Sequence, residues 1–347
     1  MIDPNALGEP KNVVLDKESN LALFKLWADA GHKQGTKIWM QLNHPGKQIP
    51  KFLCDKPVAP SAIPLKGGLE STFNTPRALT DSEIIDIIKR FATSAKLAKQ
   101  AGFDGVQIHS AHGYLVNQFL SPRHNQRTDK WGGSLENRMR FAIEVYRAIR
   151  VAVGDDFPVG IKLNSADYSK GGFTHEESME VVQNLAEAGI DLIEISGGTY
   201  ESPSMVGHNI KESTLKREAY FLEYAEEVRK RVDTPLVVTG GFRSGKAMLE
   251  ALKSGATDMI GLARPLSVYP DVPNTLMNNS EHVIEMIRPT TGIKMVDTMV
   301  MLDISWYEYQ LARLAKGKKA KPNQNSWLSV AQTLGRLGMH TFKKRRA

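Results

Sequence analysis

The sequence predicts an α/β fold of the (β/α)8 barrel, or TIM-barrel, type, with about six of the eight strands present. Three observations predict it. Six short segments are apolar nearly throughout rather than alternating, as strands covered on both faces are. Amphipathic helices with readable starts lie between them. Polar, glycine-rich and histidine-rich clusters follow one strand after another, and a barrel builds its site from many such βα loops. The competing open dinucleotide-binding sheet requires Gly-x-Gly-x-x-Gly after its first strand, and the sequence has no such match.

The expected strands are Lys37–Leu42, Gly105–His109, Pro158–Leu163, Asp191–Ser196, Pro235–Thr239 and Asp258–Leu262. Thr80-Asp81-Ser82-Glu83 reads as a capping box before Ile84, Ile87, Ile88 and Phe91, and Thr174-His175-Glu176-Glu177 repeats the device before Met179, Val181 and Val182. Another helix is expected over about 134–153, with Trp131-Gly132-Gly133 as the loop before it. A weak repeat links helix to strand. It reads Ala101-Gly102-Phe103-Asp104, Ala188-Gly189-Ile190-Asp191 and Ser254-Gly255-Ala256-Thr257-Asp258, each glycine acting as a helix C-cap.

Composition sets the outer limits. The 347 residues are 41% hydrophobic and 24% charged, an ordinary globular balance. The single cysteine, Cys54, excludes an intrachain disulfide and a cysteine-based metal site, and fits a reducing, cytoplasmic setting. No apolar run approaches the roughly 18 residues of a membrane span, and Met1-Ile2-Asp3-Pro4 does not read as a signal peptide. The net charge of +7 comes from the end of the chain: residues 311–347 hold ten Lys or Arg and no acid, leaving −3 for residues 1–310. The expected organisation is therefore a barrel domain over 1–310 and a basic tail over 311–347, with one cluster at Lys316, Lys318, Lys319 and Lys321 and another at Lys343, Lys344, Arg345 and Arg346. Such a tail reads as a solvated end rather than as a specific nucleic-acid site.

Three clusters could carry chemistry. His109-Ser110-Ala111-His112-Gly113-Tyr114 puts two imidazoles and a phenol at one strand end. A histidine pair can hold a substrate oxygen and stabilise charge growing on it, and a tyrosine can protonate a carbanion-like carbon. The alternatives are a histidine pair satisfied in the core, or metal ligation, for which no third ligand follows at a recognisable spacing. Thr239-Gly240-Gly241-Phe242-Arg243-Ser244-Gly245-Lys246-Ala247 follows a strand and opens a helix, an arrangement that suits an anion. It misses the P-loop pattern at Ala247, where a hydroxyl is required. One βα unit later, Gly261-Leu262-Ala263-Arg264 offers an arginine for a phosphate, as adjacent units of barrels often do. Gln41 ends a strand, and Lys162 lies among Val159, Gly160, Ile161 and Leu163, where a lysine is costly to bury unless it meets an anion.

These clusters, in this order, resemble the Old Yellow Enzyme family of FMN-dependent NAD(P)H:flavin oxidoreductases. The matching stretches are Gln41-Leu42-Asn43-His44-Pro45-Gly46-Lys47-Gln48, then His109 to Tyr114 continuing through Asn117-Gln118-Phe119-Leu120-Ser121-Pro122, then Asn125 to Arg138, the Gly240–Arg243 loop and Arg264. The resemblance implies an eight-stranded barrel with FMN over the strand C-termini and NAD(P)H as reductant. Gln41 would face the flavin pyrimidine edge and Lys162 its N1–O2 side, while Gly240, Gly241, Ala263 and Arg264 would hold the phosphate. His109 and His112 would bind the carbonyl or nitro oxygen of an activated alkene, a small-molecule substrate, and Tyr114 would protonate its α-carbon. Ala263 stands where many relatives have glycine. The chain opens at what resembles the tail of the family's second strand, so the first βα unit is expected to be missing. Two other readings compete: a barrel remnant that binds FMN weakly or not at all, and a flavin-free barrel enzyme acting on a phosphorylated substrate. A homo-oligomer is compatible with all three.

Overall fold

A computed structural model describes residues 1–202 and 218–341. The strands are β1 (Trp39–Leu42), β2 (Val58–Ala59), β3 (Arg77–Ala78), β4 (Gly105–Ser110), β5 (Val159–Asn164), β6 (Leu192–Ser196), β7 (Leu236–Thr239) and β8 (Met259–Gly261). β2 and β3 pair with each other outside the main sheet, whose order is β1-β4-β5-β6-β7-β8. These six strands are the six expected, each within two residues of its expected ends, and β1 with β4, β4 with β5, β5 with β6 and β6 with β7 all pair in parallel. Among the described residues no helix is long and apolar enough to cross a membrane.

The described residues divide into two compact units, one of 1–202 with 223–238 and the other of 218–222 with 239–341. In the first, β1, β4, β5 and β6 are joined by α2 (Asp81–Gln100), α4 (Leu135–Val153) and α5 (His175–Glu187). Thr80 and Thr174 form reciprocal capping boxes with Glu83 and Glu177, and Ser134 caps α4 by accepting from Asn137 N–H. The Asp that closes the first two helix-to-strand repeats has a specific job. Asp104 accepts the Ile38 N–H (2.8 Å) at the entrance of β1, and Asp191 accepts the Val159 N–H (2.7 Å) at the entrance of β5. Each carboxylate thus satisfies the first backbone donor of a neighbouring strand.

Register stacks the inward residues in layers. Trp39 lies opposite Gly105, and a Cβ built on Gly105 would come within 2.5 Å of the indole. Gly160 leaves room for the same ring, its Cβ position being 3.0 Å away. One large and two small residues therefore fill the first layer. Gly105→Ala is expected to cost about 1–3 kcal/mol, because the indole must move to admit the added Cβ. A lowered denaturant midpoint with an unchanged slope checks this, and an unchanged midpoint rejects it.

In the second unit, Val268, Val300, Leu302, Trp306, Tyr307 and Val330 form a buried cluster. Its framework includes the helices Leu302–Leu314 and Ser326–Thr341. The indole N–H of Trp306 donates to Gln324 O (3.3 Å), and Lys321 N–H donates to Gln310 Oε1 (2.7 Å). The boundary expected between 310 and 311 falls inside the first of these helices, and the structure divides elsewhere. The reason is apolar: Trp306, Tyr307 and Val330 need one another as cover, so the segment beyond 310 packs although its charge is one-sided. Lys316, Lys318, Lys319 and Lys321 are exposed at the turn between the helices, while Lys343, Lys344, Arg345 and Arg346 lie outside the described residues.

Candidate active site

The second inward layer of the first unit is polar. Gln41 Nε2 donates to Gln107 Oε1 (2.7 Å), Gln107 Nε2 to Glu194 Oε2 (2.8 Å), and Lys162 Nζ to Glu194 Oε1 (2.8 Å). Lys162 and Glu194 are 15% and 14% exposed, so this ion pair is largely dry. Lys162 does meet an anion, and the anion is a protein side chain. Gln107 and Glu194 escaped the sequence reading. The signal was available, since each is a polar residue flanked on both sides by aliphatic ones within a strand, as Lys162 is.

His109 lies opposite Lys162 in the register of β4 and β5, and the turn beyond β4 carries His112 and Tyr114. The rings of His109 and His112 meet edge to face at 5.2 Å, and those of His109 and Tyr114 at 4.7 Å. His109 Nδ1 accepts the Ala111 N–H (3.3 Å), which leaves Nε2 as the donor of the neutral ring. His112 Nε2 is hydrogen-bonded to Ser196 Oγ at 2.8 Å. Burial, and then the charge of Lys162, push His112 down to about 3; burial, and then His112, push His109 well below the usual imidazole range. Both are neutral at pH 7.

The backbone that aims them is unusual. His112 has φ +60° and Gly113 φ +78°. A left-handed residue with a Cβ persists only where its surroundings hold it. Here His112 N–H donates to Asn164 Oδ1 (3.1 Å), Gly113 N–H to Asn117 Oδ1 (2.8 Å), and Gln48 Nε2 to His112 O (3.0 Å). A Cβ on Gly113 would meet Gln48 Oε1 at 2.7 Å, so glycine is required there on two counts. Asn117 and Asn164 both donate to the buried Asp167 (3.2 Å each). This explains why the motif runs on past Tyr114. Asn164 and Asp167 lay outside it and were not foreseen.

The second unit holds the glycine loop. Gly240 and Gly241 have φ +126° and +91°, and a Cβ on Gly241 would lie 2.6 Å from the Tyr220 ring. The N–H groups of Arg243 and Ser244 both donate to Glu218 Oε2 (2.5 and 2.9 Å). A carboxylate of the chain itself thus sits on the backbone donors of this loop. A Cβ on Gly261 would overlap Thr239 Oγ1 at 1.7 Å, so the ends of β7 and β8 touch. That contact puts Ala263 and Arg264 in the unit adjoining the glycine loop. The Arg264 guanidinium lies 6.0 Å from the Tyr307 ring centroid.

The family described as NADH:flavin oxidoreductase / NADH oxidase matches residues 1–282. The chain belongs to this, the Old Yellow Enzyme family. It is 39% identical over 324 residues to the NADH-dependent flavin oxidoreductase iccE of Talaromyces variabilis, covering 84% of this chain and 78% of that protein. It is 37% identical over 274 residues to an NADH oxidase of Thermoanaerobacter brockii, covering 78% of this chain but 41% of that protein. Among solved structures, morphinone reductase aligns with a TM-score of 0.68 at 28% identity, over 84% of this chain and 77% of that one. The 2-naphthoyl-CoA reductase complex aligns with a TM-score of 0.72 at 31% identity, over 80% of this chain and 43% of that one.

As a family member the chain is an oxidoreductase whose cofactor is FMN and whose reductant is NAD(P)H. The flavin-free alternative is thereby removed. The residues of each unit fit the group chemically. The first unit offers amides and an ammonium for a flavin's polar edge, and the second a loop that already holds a carboxylate. Among the described residues no group of three His, Cys, Asp or Glu could hold a metal ion.

Proposed function

We propose that the chain is an ene-reductase acting on small-molecule alkenes activated by a carbonyl or nitro group. The observation that carries this reading is the neutral His109–His112 pair set against the Tyr114 phenol. FMN held in this site would supply the hydride for the alkene β-carbon, with NAD(P)H as its source. The His109 Nε2–H and the His112 imidazole bind the activating oxygen and stabilise the charge that grows on it. Neutrality matters, because imidazolium would protonate that oxygen rather than share a hydrogen bond. Tyr114 gives its phenolic proton to the α-carbon. In this reading Gln41 and Lys162 hold the flavin ring, with Lys162 also paired to Glu194, and Gly240, Gly241, Ala263 and Arg264 hold its phosphate. A reducing compartment such as the cytoplasm suits the single cysteine.

The test is anaerobic. The holoenzyme is reduced with NADH or NADPH and mixed with 2-cyclohexen-1-one. Return of the oxidised flavin spectrum with formation of cyclohexanone supports the reading. A spectrum that stays reduced with enones and nitroalkenes, yet reoxidises with oxygen, overturns it.

A further inference from the structure

The geometry points to Tyr200 as a positioning residue for proton delivery, a second phenol that orients Tyr114 and shares the charge left on it. This rests on the proposed role of Tyr114. The Tyr200 and Tyr114 hydroxyls are 2.9 Å apart, and their rings meet at 5.9 Å and 67°. Tyr200 also leans on Phe73, with centroids 6.2 Å apart. Phe73, Tyr200, Tyr114 and His109 therefore form a continuous aromatic file that ends at the oxygen-binding histidine.

The loop that carries Tyr200 is fixed on both sides. Before it, Thr199 forms a parallel bridge with His112, so the loop beyond β6 is tied to the loop beyond β4. After it, Glu201 is held in a nearly dry clamp. Its Oε1 accepts from Lys66 N–H (2.8 Å) and from an Arg123 guanidinium N–H (3.2 Å), and His124 Nε2 lies 3.3 Å from its Oε2. Lys47 Nζ, itself buried, closes the chain 2.9 Å from His124 Nδ1. Two buried charges and one imidazole cost free energy to desolvate. What they secure is the neighbouring residue, Tyr200.

The proton balance is simple. Tyr114 O–H loses its proton to the substrate α-carbon and is left as a phenolate. Tyr200 O–H then donates to that phenolate oxygen, a charge-assisted hydrogen bond roughly twice as strong as the neutral one. A proton from water restores Tyr114 after product leaves. An interaction that strengthens as charge develops lowers the barrier rather than the ground state.

Tyr200→Phe tests this in the holoenzyme. Reduction by NAD(P)H should stay within about twofold of the parent, while reoxidation by an enone should slow by roughly ten- to a hundredfold, the range for a hydrogen bond to a charged group. A second readout needs no turnover. Tyrosinate absorbance is titrated, and the step that disappears in Tyr114→Phe should move to higher pH in Tyr200→Phe. Tyr200→His keeps a ring and an N–H donor, and should recover most of both effects. If Tyr200→Phe changes neither the enone rate nor the titration, the inference is overturned. If His does not rescue a slowed Phe variant, the effect is packing and the inference is likewise overturned. An enone rate unaffected by Tyr114→Phe would instead reject Tyr114 itself as donor.

Discussion

Replacing Tyr114 by phenylalanine is expected to slow reoxidation by an enone roughly 10²–10⁴-fold, the usual worth of a positioned general acid. Reduction by NAD(P)H should be nearly unchanged, because that half-reaction delivers no proton to carbon. The substitution removes one oxygen and keeps the ring. The edge-to-face contact with His109 at 4.7 Å and the start of α3 (Leu115–Leu120) therefore survive. Stopped-flow measurement of the two half-reactions separates the outcomes. Equal losses in both would mean that the phenol serves binding or architecture, and that proton delivery lies elsewhere.

The second large effect is on stability in acid. Burial pushes His44 down to about 4 and His112 to about 3, and also lowers His109 and His124 well below the usual range. In the unfolded chain these rings titrate near 6.5. The unfolded state therefore binds more protons between pH 6.5 and 4, and stability must fall as pH falls through that window. At pH 5 each ring held at 3 or 4 costs roughly 2 kcal/mol, so His44 and His112 together cost roughly 4 kcal/mol. Asp104, which burial raises but the Ile38 N–H, His32 and Lys37 together lower to about 2, loses its contribution only below the ordinary carboxylate range. Lys47, lowered by burial to about 8, imposes its full penalty already at that pH. Asp167, raised by burial, works in the opposite sense, one carboxyl against four imidazoles. Urea midpoints measured from pH 7 to 4.5 should fall steeply below 6.5. A flat profile down to pH 5 would show that these rings are protonated in the fold.

Much of the fold was legible because its signals are local. Unbroken apolar runs mark strands with two covered faces, and a Thr-x-x-Glu start or an Ala-Gly end depends only on residues within one turn. All six strands and the capped helices follow from such signals. The packing at the end of the chain is not legible in this way, because a run of lysines is visible at once, whereas the mutual burial of Trp306, Tyr307 and Val330 involves residues far apart in sequence.

The site divides in the same way. Sequence by itself singled out the residues to which the proposed function assigns the chemistry, the His109–His112–Tyr114 cluster and the glycine loop before Arg243, because each is contiguous on one βα turn. It also led to the family through those stretches. Only the tertiary structure decided their state and their partners. It paired Lys162 with Glu194 and Gln41 with Gln107, set Glu218 on the glycine loop, made both histidines neutral by burying them, and placed Tyr200 against Tyr114. Each of these joins residues on different loops or strands. Hydrogen bonds and desolvation act through a few ångströms of space, and chain order does not encode those distances until strand register and loop packing have set them.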